Sequence, residues 1–224
     1  MSVLKVFRHE YKYVISYEEM LRLREKLNDL LTIDRNPNGY MIRSLYFDSL
    51  NDIDYYEKLD GLINRKKIRI RIYEPNPKVI KLELKSKYDY HQQKESLIIT
   101  KEEANELIKE NYNVLLNHEE EVAKKFYTIL RTNCYKPKVI IEYNRIAYTT
   151  RSGTRITFDF DIKKTNRVES FFNEDIDYQK ITNPQNIVLE IKFDRFLEPY
   201  ISQVLGNYIA NKESYSKYVM GRNV

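Results

Sequence analysis

Charged side chains recur at every second position along several strand-like segments of this chain, and this pattern limits the folds that it can adopt. The clearest case is Lys67-Ile-Arg-Ile-Arg71, in which cations alternate with isoleucines. Side chains at positions i and i+2 of a strand lie on the same side of a sheet, so such a strand has one charged face and one apolar face. The same spacing occurs in Glu10/Lys12, Lys81/Glu83/Lys85/Lys87, Tyr143/Arg145, Arg155/Thr157/Asp159/Asp161 and Glu190/Lys192.

Strands dominate the predicted secondary structure, and helices interrupt them. Segments that are rich in Ile, Val, Tyr and Phe, or that alternate in polarity, predict strands at 4–14, 40–48, 65–74, 78–87, 91–99, 138–149, 154–162 and 186–193. Capping boxes at Ser16/Glu19 and Thr100/Glu103 predict helices that run to about Leu31 and Glu110. Further helices are predicted at 51–59, at 117–131 and from Glu198 towards the C-terminus. The expected class is α+β, with hairpin-connected strands in an antiparallel sheet or barrel, in a single domain over 1–224.

The charged faces have two interpretations. They are either solvated surface, as on many half-buried sheets, or the lining of a closed barrel. We favour an eight-stranded antiparallel β-barrel with helices packed on the outside, because helices need apolar surface to pack on. Arginines without regular acidic neighbours also repel one another unless an anion is present. An eight-stranded barrel can just enclose a ligand, so a wet and cationic interior predicts a polyanion.

Carboxylates lie among these cations, at Glu10, Glu83, Asp159, Asp161 and Glu190. A wall of mixed charge suits a metal–phosphate complex, because hard oxygen ligands hold Mg²⁺ or Mn²⁺ and the metal bridges phosphate oxygens. The alternative is that the acids only neutralise the cations beside them.

The overall composition bounds the partners and the compartment. There are 38 basic and 33 acidic residues, for a net charge of +5, which favours an anionic partner without choosing between nucleic acid, a membrane surface and phosphorylated metabolites. We expect no nucleic-acid partner, since that would require the cations to lie on an open face. Cys134 is the one cysteine, so no intramolecular disulfide is possible and a cytoplasmic location is expected. The apolar runs are too short to span a bilayer, so attachment at the inner face of the membrane would need a partner protein.

A set of short motifs in a shared order resembles a known family. The motifs are Arg8-His-Glu-Tyr-Lys-Tyr13, Ser44-Leu-Tyr-Phe-Asp48, Lys67-Ile-Arg-Ile-Arg71, Leu82-Glu-Leu-Lys85, Glu142-Tyr-Asn-Arg145, Thr154-Arg-Ile-Thr-Phe-Asp159, Leu189-Glu-Ile-Lys192 and Ser214-Tyr-Ser-Lys217. Nearly the whole chain resembles the catalytic domain of the vacuolar transporter chaperone (VTC) complex, a polyphosphate polymerase. That domain belongs to the triphosphate tunnel metalloenzymes, together with the adenylate cyclase/thiamine triphosphatase (CYTH-like) group.

The resemblance implies a tunnel that binds a triphosphate end-on, and it assigns residues to roles. The catalytic, phosphate-binding cations are expected to be Lys12, Arg69, Arg71, Lys85, Arg145 and Arg155. The substrate-binding residues are expected to be Lys94, Tyr143, Lys192 and Lys217. Glu190 matches the family's principal metal ligand, and Glu10 is the second expected ligand of Mn²⁺ or Mg²⁺. The family's tunnel hydrolases carry a further glutamate where this chain has Arg8.

The resemblance leaves three functions to compare. The leading expectation is a metal-dependent polymerase that transfers the terminal phosphate of ATP to a growing polyphosphate chain. The alternatives are a metal-dependent triphosphatase on the same tunnel and a non-catalytic polyphosphate-binding module. The expected ligands are ATP, triphosphate and polyphosphate, and a separate membrane protein is a candidate partner for polyphosphate export.

Overall fold

The computed structural model describes residues 8–89, 91–206, 208 and 215–222, and the side chains of Arg8 and His91 are not described. The strands are β1 (Arg8–Ser16), β2 (Thr32–Asp34), β3 (Tyr40–Asp48), β4 (Arg65–Ile72), β5 (Ile80–Tyr88), β6 (His91–Ile99), β7 (Lys136–Thr149), β8 (Arg155–Thr165), β9 (Gln179–Lys180) and β10 (Asn186–Asp194). The α-helices are α1 (Tyr17–Asn28), α2 (Ile53–Leu59), α3 (Lys101–Ile108), α4 (Glu121–Thr132), α5 (Pro199–Leu205) and α6 (Lys217–Arg222). Short 3-10 helices cover Tyr112–Asn117 and Val168–Ser170.

The chain forms two compact units, each assembled from separate segments. Unit 1 consists of Met1–Met41, Tyr143–Ile162 and Lys180–Ser216, and unit 2 consists of Ile42–Glu142, Lys163–Gln179 and Lys217–Val224. Strands β3, β7, β8 and β9 contribute residues to both units. The expectation of one domain over 1–224 stays a prediction.

Unit 1 is an antiparallel sheet with two helices on its apolar face. Its neighbouring strands follow the order β1-β10-β8-β7, and the short strand β2 pairs with β7. Met20, Leu23 and Leu27 of α1 pack with Ile201 and Leu205 of α5 in this core. The strands contribute Tyr13, Ile15, Ile146, Tyr148, Ile156, Phe158, Ile187, Leu189, Ile191 and Phe193.

Unit 2 repeats this plan with different helices. Its strands follow the order β3-β4-β5-β6 in antiparallel pairs, and β7 lies beside β3. Ile68, Ile70 and Ile72 of β4 are fully buried in a core that the helical side chains of α3 and α4 complete. Leu107, Phe126 and Leu130 are the largest of these helical residues. In both units, therefore, helices cover the apolar face, and the alternating charged positions lie on the opposite face of the sheet.

The structure confirms the predicted α+β class, the antiparallel sheet and the helices on its apolar face. Within the described ranges, eight long strands make up the path of the sheet, and the short strands β2 and β9, which the sequence does not predict, pair beside it with β7 and β8. Both predicted capping boxes are present, at Ser16/Glu19 and at Thr100/Glu103. The 3-10 helix at Tyr112–Asn117 was not expected, and α4 begins at Glu121 rather than at Asn117.

The C-terminal helix differs from its prediction. A helix does begin at Pro199 with Glu198 as its N-cap, but it ends at Leu205. A second helix covers Lys217–Arg222, and the predicted continuation over 209–214 lies outside the described residues. No helix in the part of the chain that the structure describes is long and apolar enough to cross a membrane.

Candidate functional site

The charged face of unit 1 carries a cluster of alternating sign, which we call the mixed cluster: Glu10, Lys12, Arg145, Asp159, Glu190 and Lys192. The register between β1 and β10 places Glu10 opposite Lys192 and Lys12 opposite Glu190. Lys12 Nζ lies 3.0 Å from Glu10 Oε1, and Lys192 Nζ lies 2.6 Å from Glu190 Oε1. Lys192 Nζ is also 4.0 Å from Glu10 Oε2, so one lysine links the two glutamates.

Arg145 is the most enclosed cation of the mixed cluster. Its guanidinium donates two parallel hydrogen bonds to Asp159, and its Nη2 lies 3.5 Å from Glu190 Oε2. Its Cζ also lies 5.5 Å from the ring centre of the buried Tyr143. Burial alone would lower the pKa of Arg145, but Asp159, Tyr143 and Glu190 together outweigh burial and raise it. Arg145 therefore stays charged, with much of its donor capacity directed to the protein.

Lys12 is held between the two glutamates that were assigned to the metal. Burial would lower its pKa, but the carboxylates of Glu190 and Glu10 outweigh that effect and raise it. Its Nζ also donates to the carbonyl oxygen of Tyr215 at 3.1 Å. Lys12 is consequently a fixed, protonated cation beside both carboxylates.

Arg155 lies next along the same face, opposite Lys192 in the register. Its Nη2 donates to Asp34 Oδ2 at 2.6 Å and to Tyr40 Oη at 3.0 Å. Asp34 is on β2, a strand of three residues. Asp34 and Tyr40 thus set the direction of a cation that was expected to bind phosphate, and sequence reasoning missed both.

The oxygen ligands of the mixed cluster suit a metal that also binds phosphate. No group of three or more His, Cys, Asp or Glu side chains that could hold a metal ion occurs within the described ranges. Glu190 is nearly buried, and Thr157 lies directly opposite it in the register. Thr157 Oγ1 is buried and has no hydrogen-bond partner among the described residues. Glu190, Glu10 and this hydroxyl fit an ion such as Mg²⁺, which is usually bound by one or two carboxylates plus water and phosphate oxygens.

The charged face of unit 2 is dominated by cations. We call it the cationic face and define it by Arg65, Lys67, Arg69, Arg71, Lys81, Lys85, Lys87 and Lys94, with Glu83 among them. Between β4 and β5 the register pairs Arg65 with Lys87, Lys67 with Lys85, and Arg71 with Lys81. Lys85 is in turn opposite Lys94 of β6, so Lys67, Lys85 and Lys94 form a row across three strands.

Glu83 is the acid at the centre of the cationic face. It is 1 % exposed and lies opposite Arg69 in the register. Arg69 Nη2 and Nε approach its Oε2 at 2.7 and 2.8 Å, and Lys94 Nζ is 2.5 Å from its Oε1. Burial would raise the pKa of Glu83, but Arg69, Arg71 and Lys94 outweigh it and lower the pKa to about 2. Glu83 is therefore ionised at any physiological pH and is a poor proton acceptor.

Arg69 and Arg71 each contact one polar side chain of β3. Arg69 Nη1 donates to Tyr46 Oη at 3.1 Å, and Arg71 Nε donates to Ser44 Oγ at 3.2 Å. Burial would raise the pKa of Tyr46, but Arg69 and Arg71 outweigh it, with a contribution from Lys217 of α6, and lower it. Tyr46 is a residue of this face that sequence reasoning did not select. The signal was available, because Ser44, Tyr46 and Asp48 share a face at spacing two.

The predicted site residues thus fall into two groups within the two units. Unit 1 holds Glu10, Lys12, Tyr143, Arg145, Arg155, Glu190 and Lys192. Unit 2 holds Arg69, Arg71, Lys85, Lys94 and Lys217. A buried acid lies in each group: Asp159 pairs with Arg145 in unit 1, and Glu83 pairs with Arg69 and Lys94 in unit 2. The roles assigned to these residues stay predictions.

The family model of the VTC domain matches residues 7–224 of this sequence. The chain belongs to the VTC domain family. The resemblance noted from the motifs is therefore confirmed, and the match includes both groups of charged residues. No curated protein matches this VTC domain.

Solved structures show the fold that this VTC domain shares with other proteins. A candidate adenylyl cyclase from Hippeastrum, described as having a dominant triphosphatase activity, has a TM-score of 0.57 and 14% identity, covering 95% of this chain and 94% of that one. A candidate adenylate cyclase from Bacillus halodurans has a TM-score of 0.54 and 15% identity, covering 94% and 95%. A third, from Vibrio parahaemolyticus, has a TM-score of 0.53 and 12% identity, covering 96% and 97%. At these identities the likeness shows a shared fold alone.

Proposed function

We propose that this VTC domain is a metal-dependent polyphosphate polymerase that transfers the terminal phosphate of ATP to a growing polyphosphate chain. The observation that carries the proposal is the cationic face of unit 2. Of its four directly opposed pairs between β4 and β5, Arg65–Lys87, Lys67–Lys85, Arg69–Glu83 and Arg71–Lys81, one joins opposite charges. Like charges directly opposite each other destabilise a sheet by several tenths of a kcal/mol, up to about 1 kcal/mol each. A ligand with regularly spaced negative charges relieves that repulsion.

A linear phosphate chain suits the row of lysines in particular. Neighbouring strands lie about 4.8 Å apart, so Lys67, Lys85 and Lys94 supply cations at regular intervals across the sheet. A row of this kind matches a polymer of repeating charge better than a single phosphate group. Arg69 and Arg71 add planar guanidinium groups, which bind phosphate oxygens through paired hydrogen bonds.

The mixed cluster of unit 1 is proposed to hold the metal. Glu190 and Glu10 would be its carboxylate ligands, with the Thr157 hydroxyl opposite Glu190 in the register. When bound, the ion would neutralise charge that develops on the phosphate oxygens. Lys12 and Lys192 keep both carboxylates in place through the ion pairs described above. Arg145 and Arg155 have their directions fixed by Asp159 and Asp34, and each retains donors for phosphate oxygens.

In phosphoryl transfer the protein mainly positions the reacting groups and stabilises the charge on the phosphate oxygens, and it does not need to supply a nucleophile. In the proposed reaction a terminal oxygen of the acceptor phosphate forms a bond to the γ-phosphorus of ATP, and the bond from that phosphorus to the bridging β–γ oxygen breaks. ADP leaves with the electron pair of the broken bond, and the chain grows by one phosphate. Arg69, Arg71 and Lys85 would hold the phosphate oxygens in line during this step.

A metal-dependent triphosphatase is the second candidate, and the Hippeastrum structure favours it, since that protein is described as having a dominant triphosphatase activity. In this reaction water takes the place of the acceptor phosphate. The carboxylate that accepts the proton of the water would be Glu10 rather than Glu83, because the pKa of Glu83 is lowered to about 2. Glu10 is itself paired with Lys12, so the polymerase remains the preferred proposal.

The products of an incubation with ATP and Mn²⁺ distinguish these functions. If the protein is the polymerase, we expect ADP together with long, phosphatase-sensitive polyphosphate chains. The amount of ADP should equal the amount of phosphate in these chains. Orthophosphate released from tripolyphosphate, without chains, would instead support the triphosphatase. Tight binding without turnover would identify a binding module and overturn both enzymatic proposals. A cytoplasmic location and a membrane partner for export stay predictions.

A further inference from the structure

Helix α6 is fixed to unit 2 by hydrogen bonds and ion pairs to the β3–α2 region. The Tyr218 hydroxyl donates to Asp48 Oδ2, and Asp48 is fully buried. Arg222 Nη2 and Nη1 donate to Asp52 Oδ2 and Oδ1 at 2.8 and 3.0 Å. The helix also approaches β7 closely, since a Cβ at Gly221 would lie 2.8 Å from Ile141 Cδ1. These contacts fix the position within unit 2 of the helix that carries Lys217.

The ring of Tyr218 lies against residues of the cationic face. It stacks on the Tyr46 ring, with 5.1 Å between the ring centres and 26° between the planes. Lys67 Nζ lies 5.5 Å from the centre of the Tyr218 ring, on the face where a cation is attracted. Tyr46 in turn accepts a hydrogen bond from Arg69 and lies opposite it in the register. The Tyr218 side chain is therefore linked to two cations of β4, to Lys67 directly and to Arg69 through Tyr46.

We propose that Tyr218 is a positioning residue of the cationic face: its ring holds Tyr46, and through it Arg69, in the orientation that binds phosphate, while its hydroxyl anchors α6 to Asp48. This inference rests on the proposed function and extends it to a residue without charge. It also restrains the adjacent Lys217, because Tyr218 and Arg222 tie α6 to Asp48 and Asp52.

The hydrogen bonds around Asp48 allow the Tyr218 hydroxyl to be removed while the fold is kept. Asp48 also accepts backbone N–H bonds from Ser49, Asp54 and Tyr55, at 2.7, 2.9 and 2.9 Å. Loss of the Tyr218 hydroxyl therefore does not leave this buried carboxylate without partners, and Tyr218→Phe is expected to fold. Tyr218→Leu removes the stacked ring as well. A matched control is Tyr112→Phe, which also removes a buried tyrosine hydroxyl bond, here to the carbonyl oxygen of Tyr135, but lies in the helical core of unit 2.

The test measures the dissociation constant of tripolyphosphate by calorimetry in the presence of Mg²⁺. We expect Tyr218→Phe to weaken binding about threefold to tenfold and Tyr218→Leu to weaken it about tenfold or more. Tyr112→Phe should bind as the wild type does. Each Tyr218 variant is then combined with Arg69→Ala. If Tyr218 acts through Arg69, its substitution should cost less in that background than in the wild type, which a general loss of stability would not produce.

Two results separate this inference from the proposed function. If wild-type protein binds tripolyphosphate but both Tyr218 variants bind equally well, or lose the same factor with and without Arg69, the positioning role is wrong and the proposed function stands. If the wild type does not bind tripolyphosphate, the proposed function falls and the inference falls with it.

Discussion

Arg145 and Asp159 are joined by two parallel hydrogen bonds, from Nε to Oδ1 at 2.6 Å and from Nη2 to Oδ2 at 2.7 Å, and Asp159 is fully buried. This pair gives Arg145 a structural role that Arg71, another predicted phosphate-binding arginine, does not share to the same degree. Arg71, for comparison, has Ser44 Oγ at 3.2 Å and Glu83 Oε2 at 3.8 Å. Substitutions at these two arginines should consequently have different effects on folding.

Arg145→Ala is expected to destabilise unit 1 strongly. The substitution leaves the Asp159 carboxylate buried without its bidentate partner, and breaking a buried pair in this way costs about 3–5 kcal/mol. The free energy of unfolding from urea titration measures the loss. Replacing both partners, as in Arg145→Met with Asp159→Leu, should recover part of it. A loss below about 1 kcal/mol for Arg145→Ala would mean that the pair does not hold the sheet together.

Arg71→Ala is expected to abolish turnover and to leave the fold intact. Removing one cation from a face of like charge relieves repulsion, so the free energy of unfolding should change by about 1 kcal/mol or less. Turnover of ATP or tripolyphosphate and the melting temperature are the two measurements. Arg22→Ala is the matched control, because Arg22 is exposed on α1 and paired with Glu18. Full activity of Arg71→Ala would remove this residue from the site.

The sequence was sufficient for the eight long strands, because apolar and charged residues alternate through most of β4, β5, β8 and β10. Strands β3 and β6 match their predicted ranges of 40–48 and 91–99. The short strands β2 and β9, at Thr32–Asp34 and Gln179–Lys180, have too few residues to show any alternation. They depend on tertiary pairing with β7 and β8, which a local pattern cannot reveal.

The charged residues of the site could be predicted from the sequence, but the residues with which they pair could not. Spacing along a strand identified Arg69, Arg71, Arg145 and Arg155, whereas their partners come from other strands. Asp34 lies 121 positions from Arg155, and Asp48 lies 170 positions from Tyr218. Such partners depend on the register and order of the strands, which alternation alone does not fix. Neutral residues such as Tyr46 were missed for a related reason, since their importance comes from the cations beside them.

Asp54→Asn is expected to change how stability depends on pH. Asp54 is fully buried, and burial raises its pKa to about 7 although Lys66 Nζ lies 3.2 Å from its Oδ1. Between the unfolded pKa of 3.8 and the folded value near 7, the folded protein binds more protons than the unfolded one. The free energy of unfolding of the wild type should therefore fall as the pH rises through this window.

The comparison is made by urea unfolding at pH values across that window. Asp54→Asn cannot titrate, so its stability should fall less than that of the wild type, by a margin on the order of 2–4 kcal/mol. Asp60→Asn, at the exposed end of α2, serves as the control and should follow the wild type. Parallel curves for the wild type and Asp54→Asn would show that this carboxyl does not titrate in the window.

Glu190→Gln is expected to weaken Mn²⁺ binding about tenfold or more, because a neutral amide is a poorer ligand than a carboxylate and the cations Lys192 and Arg145 remain beside it. Electron paramagnetic resonance of free Mn²⁺, with tripolyphosphate present, measures this affinity without requiring turnover. Glu18→Gln, on the exposed side of α1, is the control. Unchanged Mn²⁺ affinity in Glu190→Gln would exclude this glutamate as a ligand.

The affinity of the protein for tripolyphosphate, compared between the wild type and Lys85→Gln, tests the central claim most directly. Lys85 is the middle cation of the row that Lys67 and Lys94 complete. The account predicts binding that weakens with added salt, and a dissociation constant about tenfold higher for Lys85→Gln than for the wild type. A wild-type protein that does not bind tripolyphosphate, or a Lys85→Gln variant that binds it equally well, would contradict the account.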